Sequence, residues 1–316
     1  MARFVVRRLV NMVFVLFAIS VITFVIFYVI PGGDPVQRIA GRNSNEVTRA
    51  QVREDFGFND SLPVQYARMM EQTISGELIS YSNRLNVRDE LVRGIPATAS
   101  LVIGAAIIWL FFGILFGVIS ALYAGRAPDR VLTVLAMIGI SLPVFWVGAL
   151  LLYYFTYKVA LFPAGGYVPL SDDPSSWLSH LILPWFALSL VFIGFYSRLL
   201  RSNMLDTMNE DYVRTARAKG LSERRVLLGH VMRNALIPIV TLFGLDFGLA
   251  IGGGAILTES VFGLQGIGEY VADSVGTLDL PPIMGTTLYA AFFIVMFSAF
   301  VDIAYARLDP RVRLNT

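Results

Sequence analysis

The amino-acid sequence predicts an all-α protein that crosses a membrane six times, with both termini on the cytoplasmic side. Three observations predict it. Hydrophobic residues make up 56% of the 316 and charged residues only 15%, whereas a soluble domain carries about 25% charged residues. Six stretches are apolar over about 20 residues, the length a helix needs to cross roughly 30 Å of hydrocarbon. Basic residues gather in alternate loops, as the positive-inside rule requires. The mean hydropathy of +0.65 excludes disorder, which needs low hydrophobicity and high charge. A net charge of +2 gives no footprint for nucleic acid. The lack of cysteine removes disulfides and thiolate metal ligands.

The first expected span, Leu9 to Ile30, is uncharged over 22 residues. That exceeds the roughly 7–15-residue apolar core of a signal peptide, and Pro31-Gly32-Gly33-Asp34-Pro35 follows instead of a small-residue cleavage site. A retained helix is expected, so residues 1–30 form a cytoplasmic N-terminus and a first span. Residues 31–94 read as a small external subdomain in which nine acids balance eight arginines. Within it, Ser61-Leu62-Pro63 and the stretch Gln65 to Ile74 read as a capped helix with proline in its first turn. Residues 95–316 carry the other spans. The second lies between Arg93 and Arg126, starting near Pro96; the third is Val131 to Tyr157; the fourth runs from near Trp177 to near Leu200. The fifth, Ala235 to Thr258, contains one charge, Asp246, and the sixth, Pro282 to Tyr305, has Asp302 near its end.

Loop charge sets the orientation. Arg3, Arg7 and Arg8 precede the first span, Arg126 and Arg130 follow the second, and Arg307, Arg311 and Arg313 follow the sixth. Eight basic residues follow the fourth: Arg198, Arg201, Arg214, Arg217, Lys219, Arg224, Arg225 and Arg233. Residues 259–279 hold four acids and no base. Tyr28, Tyr153, Tyr154, Tyr157 and Trp177 fall at outer ends of spans and Tyr123, Tyr196 and Tyr305 at inner ends, the depths that amphipathic rings favour.

Several chemistries are excluded or weakened by the residues present. A phosphate cradle needs lysine before Ser or Thr, but Lys158 precedes Val159 and Lys219 precedes Gly220. This chain therefore does not hydrolyse ATP by that route. The two histidines, His180 and His230, are expected on opposite membrane faces, which argues against a metal site. Gly139-Ile140-Ser141-Leu142 resembles the Gly-x-Ser-x of intramembrane serine proteases. Such a serine needs a base in reach, His180 is the only candidate, and Pro143 suggests a bend instead. Gly263-Leu264-Gln265-Gly266-Ile267-Gly268 follows no strand and so is a turn, not a dinucleotide fingerprint.

Two features of the inner half carry more. Gly244, Gly248 and Gly252 recur every four residues and form one stripe that a neighbouring backbone can approach. Asp246 shares that helix, and a carboxylate at mid-membrane costs about 2.5–3.5 kcal/mol on insertion scales. A substrate path explains it as well as a structural hydrogen bond does. The loop 202–235 contains Asp211-Tyr212-Val213-Arg214-Thr215-Ala216-Arg217-Ala218-Lys219-Gly220-Leu221. Small residues and a terminating glycine predict a short helix with a close-packing face. Its regularity favours docking in a groove of another protein over a basic loop lying on anionic lipid.

That loop resembles the permease subunits of binding-protein-dependent ABC importers, whose Glu-Ala-Ala…Gly loop docks on the ATPase. Arg214-Thr215-Ala216 stands at the Glu-Ala-Ala position, followed by Gly220, and the glutamate is absent. The run Asp211 to Leu221 and Arg233-Asn234-Ala235-Leu236-Ile237-Pro238 are similar to the dipeptide/oligopeptide/nickel branch. So are Pro31 to Pro35, Pro96-Ala97-Thr98, Pro143-Val144-Phe145-Trp146, Phe162 to Tyr167, Glu259-Ser260-Val261-Phe262, Asp279-Leu280-Pro281 and Asp309-Pro310-Arg311. Gly76-Glu77-Leu78-Ile79 departs from the branch's usual Gly-Asp-Leu-Gly, and Asp246 is not a residue associated with its position in that branch.

The resemblance implies a type I ABC importer permease fold in a bacterial or archaeal plasma membrane. Its partners would be a second permease, two ATPase domains holding ATP and magnesium, and an external solute-binding protein. The cargo would be a di- or oligopeptide, with a nickel chelate or glutathione as the alternative. It assigns ATPase coupling to Asp211, Arg214, Thr215, Ala216, Lys219, Gly220 and Leu221. Asp246, Gly248 and Glu259 are the expected translocation-path residues. No cofactor is expected in this chain.

Overall fold

The structure, a computed structural model, describes residues 2–29, 35–40 and 45–308. The motifs at Pro31 to Asp34 and at Asp309 to Arg311 lie outside the described residues, as does the side chain of Asp302. The described residues are almost entirely helical. The chain enters as α1 (Ala2–Phe24), which continues through a wider turn to Val29, and short helices α2 (Pro35–Ala40) and α3 (Glu46–Asp55) follow. Next come α4 (Leu62–Ser75), α5 (Val87–Leu122), α6 (Ala127–Ser141), α7 (Val144–Leu151) and α8 (Pro174–Met208). The arginine-rich connection holds α9 (Asp211–Ala218), α10 (Glu223–Val226) and α11 (Met232–Ala235). Then α12 (Ile237–Leu249), α13 (Ile256–Phe262), α14 (Ile267–Thr277) and α15 (Leu280–Leu308) complete the order.

Among the described residues five helices are long and apolar enough to cross a membrane, and a sixth span arises if α6 and the 144–158 helix count as one. These two meet at an angle of 98°, so the third span expected over 131–157 is broken at the bend that Pro143 suggests. Pro143 causes it, because proline has no N–H to donate and forces the residue before it into extended backbone; Leu142 sits at ψ 127°. The second span differs as well. It starts at Val87, not near Pro96, because the Asn86 side chain accepts from the N–H groups of Arg88 and Asp89 and caps the helix there. Pro96 is accommodated inside it. At 36 residues α5 is about 54 Å long and overshoots the hydrocarbon. The expected helix around 65–74 is α4, with Ser61 as N-cap and proline in the first turn.

The fifth span is shorter than expected. Helix α12 widens at 250–254 and breaks at Gly253, whose φ of 115° is open to glycine alone at low cost. Beyond the break, α13 and α14 form a helical hairpin packed against α5, α7 and α15.

The core is the α5–α8 pair, with α6, α7 and α12 packed round it. Close approach depends on glycine. A Cβ at Gly113 would meet the Tyr196 Cβ at 2.8 Å, and one at Gly117 the Leu200 Cβ at 2.9 Å. Trp109 is fully buried in this seam and stacks on Phe192 at 4.4 Å. The stripe on α12 meets α15: Gly248 faces Phe297 and Gly252 lies against the backbone of Ala290.

Candidate coupling and translocation sites

At the arginine-rich end, α9 stands on the foot of α8. Val213 and Ala216 are buried and Leu221 is half-buried, all in the main core. This anchor leaves Asp211, Arg214, Thr215, Lys219 and Gly220 exposed. The helix ends as its residues dictate. Gly220 takes φ 78°, its N–H donates to the Arg217 carbonyl, and the Leu221 N–H reaches back to the Ala216 carbonyl, a glycine-dependent stop. Arg214 pairs loosely with Asp211 at 3.6 Å, and Arg217 pairs with Glu223 at 3.0 Å. Asn234 donates to the Tyr212 hydroxyl and to the His230 carbonyl, which ties α9 to α11. Partial burial pushes the Tyr212 hydroxyl above its usual range, against the pull of the Asn234 bond. Of the seven residues assigned to coupling, five therefore face outward and two, Ala216 and Leu221, hold the helix in place.

The three expected path residues do not share a surface. Asp246 is half-buried and accepts from the Tyr196 hydroxyl of α8 at 2.7 Å. Gly248 is buried on the α15 side; two residues further along a helix is about 200° of rotation. Glu259 on α13 is 0% exposed. Its Oε1 accepts from the Thr98 hydroxyl at 2.8 Å and its Oε2 from the Glu269 N–H at 3.1 Å. Thr98 in turn accepts from the Ile267 N–H at 2.9 Å. The carboxylate thus satisfies donors at the start of α14, and a Cβ on Gly268 would come within 2.9 Å of it. Glu259, Thr98 and the Gly266-Ile267-Gly268 turn form one buried knot joining α5, α13 and α14.

Two further carboxylates organise the molecule: Asp129, which the sequence does not mark, and Asp279, which it marks only as part of the Asp279-Leu280-Pro281 motif. Asp129 is buried at the start of α6 and holds Arg201 of α8, the Ser120 hydroxyl and the Gly125 N–H. Asp279 accepts from the Ser80 hydroxyl and from the N–H groups of Tyr81 and Ser82, pinning the 80–82 loop to the start of α15. Ser141 is exposed, and its hydroxyl donates to the Met137 carbonyl at 2.8 Å. The His180 ring bonds the Ser176 carbonyl at 2.7 Å. Each is occupied within its own helix, so the geometry gives the serine-protease reading no nucleophile–base pair. Among the described residues no cluster of three or more His, Asp or Glu side chains could hold a metal ion.

Residues 113–314 match the family described as binding-protein-dependent transport system inner membrane component. Residues 1–102 match the N-terminal region of binding-protein-dependent transport system membrane components. A probable peptide ABC transporter permease protein of Sinorhizobium fredii is 36% identical, covering 99% of this chain and 100% of its own length. The oligopeptide transport system permease protein AppB of Bacillus subtilis is 35% identical, with 99% of both chains covered. The glutathione transport system permease protein GsiC of Escherichia coli is 35% identical at the same coverage. Among solved structures, the inward-facing MetNI methionine ABC transporter aligns with a TM-score of 0.52 at 15% identity, over 69% of this chain and 96% of that one. An amino acid ABC transporter gives 0.53 at 16%, over 69% and 94%. Those two likenesses establish a shared fold.

Proposed function

Since the chain belongs to the family of binding-protein-dependent transport system inner membrane components, we propose that it is the permease subunit of an ATP-driven importer of di- or oligopeptides in a bacterial or archaeal plasma membrane. It forms the path with a second, similar permease and carries no ATPase of its own. Two partner ATPase domains hold ATP and magnesium, and an external binding protein delivers the peptide. The observation that carries this reading is the α9 helix, anchored by Val213 and Ala216 and presenting Asp211, Arg214, Thr215 and Lys219 outward.

ATPase closure pushes on that face and on the Gly220 turn. The α8 foot passes the movement to the α5–α8 pair as a rigid-body rotation. Asp246 lines the path from α12, Gly248 lets α12 follow α15, and Glu259 keeps the α13–α14 hairpin moving with α5. Import of glutathione by the same machine is the second reading, favoured by the equal identity to the glutathione and oligopeptide permeases.

Tagging the chain in its native cell and purifying it gently tests the assembly. Recovery of two Walker-motif ATPase domains with a second six-helix permease is expected. A homo-oligomer stable without any ATPase would overturn the reading. Uptake of labelled peptide and labelled glutathione by vesicles carrying the purified complex decides the cargo.

A further inference from the structure

On the side opposite the arginine-rich connection, α4 and the 77–84 turn enclose a cavity of about 460 Å³. Small-molecule sites fall in the range of roughly 300–1,000 Å³. Phe24, Phe56, Met69 and Tyr81 supply apolar and aromatic walls, and Arg84 and Glu77 add one charge of each sign. The Arg84 guanidinium lies 4.4 Å from the centre of the Phe56 ring. That ring is itself fixed edge-on by Tyr81 at 4.8 Å. Arg84 also holds φ 62°, a left-handed conformation that L-residues with a Cβ normally avoid.

Arg68, on the same wall, is neutralised by Asp60 at 2.6 Å. Arg84 and Glu77 belong to none of the ion pairs among the described residues. A guanidinium held over an aromatic ring and outside every described ion pair has N–H donors left to offer, and its planar fork matches a carboxylate.

We propose that this cavity binds the free C-terminal carboxylate of a short peptide through Arg84. The neighbouring side chain rests against Phe24 and Met69, and Glu77 accepts from the ligand's ammonium group. The peptide class rests on the import reading above, whereas the demand for a carboxylate rests on Arg84 alone.

The test titrates the full chain in lipid nanodiscs with the dipeptide Ala-Phe and with its C-terminal amide, followed by calorimetry. Ala-Phe should bind saturably and the amide more weakly by roughly 10- to 100-fold, the loss of a charged hydrogen-bond pair. Arg84→Gln should erase that preference, and Glu77→Gln should weaken Ala-Phe while keeping it. Equal binding of acid and amide by the unaltered protein would overturn the proposal, as would the absence of saturable binding. An amidated peptide with a side-chain carboxylate that binds as well as Ala-Phe would overturn it in favour of acidic side chains. Peptide uptake by the assembled complex is measured separately. Uptake together with equal binding of acid and amide sinks this pocket alone, while Arg84-dependent binding without uptake supports the pocket and sinks the import reading.

Discussion

Asp129 and Arg201 meet as a bidentate ion pair across 72 residues of sequence, with Nε to Oδ1 at 2.6 Å and Nη2 to Oδ2 at 2.8 Å. The Asp129 side chain is 5% exposed and that of Arg201 31%. Removing one member leaves a buried charge without its partner, which costs about 3 kcal/mol or more. Arg201→Met should therefore lower the melting temperature in detergent clearly, and adding Asp129→Asn should recover much of the loss. If the single variant melts like the parent, the pair contributes nothing to holding α6 against α8.

Gly220 ends α9 at φ 78° with no atom in the way of a Cβ, so a side chain fits in space but not in backbone conformation. The left-handed state costs an L-residue about 1–2 kcal/mol. Gly220→Val should tilt or fray the α9 terminus and abolish ATP-driven uptake while the protein stays in the membrane at normal level. Normal uptake by that variant would remove the Gly220 turn from the coupling path.

The apolar spans were legible because hydrocarbon leaves the sequence little freedom: about 20 apolar residues must be contiguous. The α9 helix was legible because Asp211 to Gly220 carries its own start, face and stop. What stayed hidden depends on distant partners. Nothing local marks Arg201 as the ligand of Asp129 rather than one more inner arginine. Likewise Glu259 acquires its role from Thr98, 161 residues away, and nothing local in the sequence separates it from Asp246. Pro96 carries a local signal that the fold overrides: proline marks a helix start, yet Asn86 caps the helix ten residues earlier and the helix tolerates the proline.

Glu259 offers two acceptor oxygens to Thr98 and to the first turn of α14. Glu259→Ala removes both from a buried site and leaves donors unsatisfied, a loss of about 1–3 kcal/mol for each. Limited proteolysis of the purified protein should then cut between α13 and α14, around Gly263 to Gly266, much faster than in the parent. An unchanged cleavage rate would mean that packing alone holds the hairpin.

Asp246 and Tyr196 share one hydrogen bond of 2.7 Å, and that bond separates the two readings of the intramembrane carboxylate. Asp246→Asn keeps an acceptor for the tyrosine hydroxyl and removes only the charge. Tyr196→Phe removes the bond and keeps the carboxylate. If the carboxylate serves the path, Asp246→Asn should lower uptake or change which peptides are carried, at near-normal thermal stability, and Tyr196→Phe should do less. If the bond is structural, the order reverses: Tyr196→Phe lowers stability and Asp246→Asn transports like the parent. Because Gly248 lies about 200° around the helix from Asp246 and against Phe297, Gly248→Leu should destabilise α12 against α15 whichever reading holds. Comparing the melting temperatures and uptake of all three variants in one vesicle preparation therefore assigns the charge, the hydrogen bond and the helix contact separately.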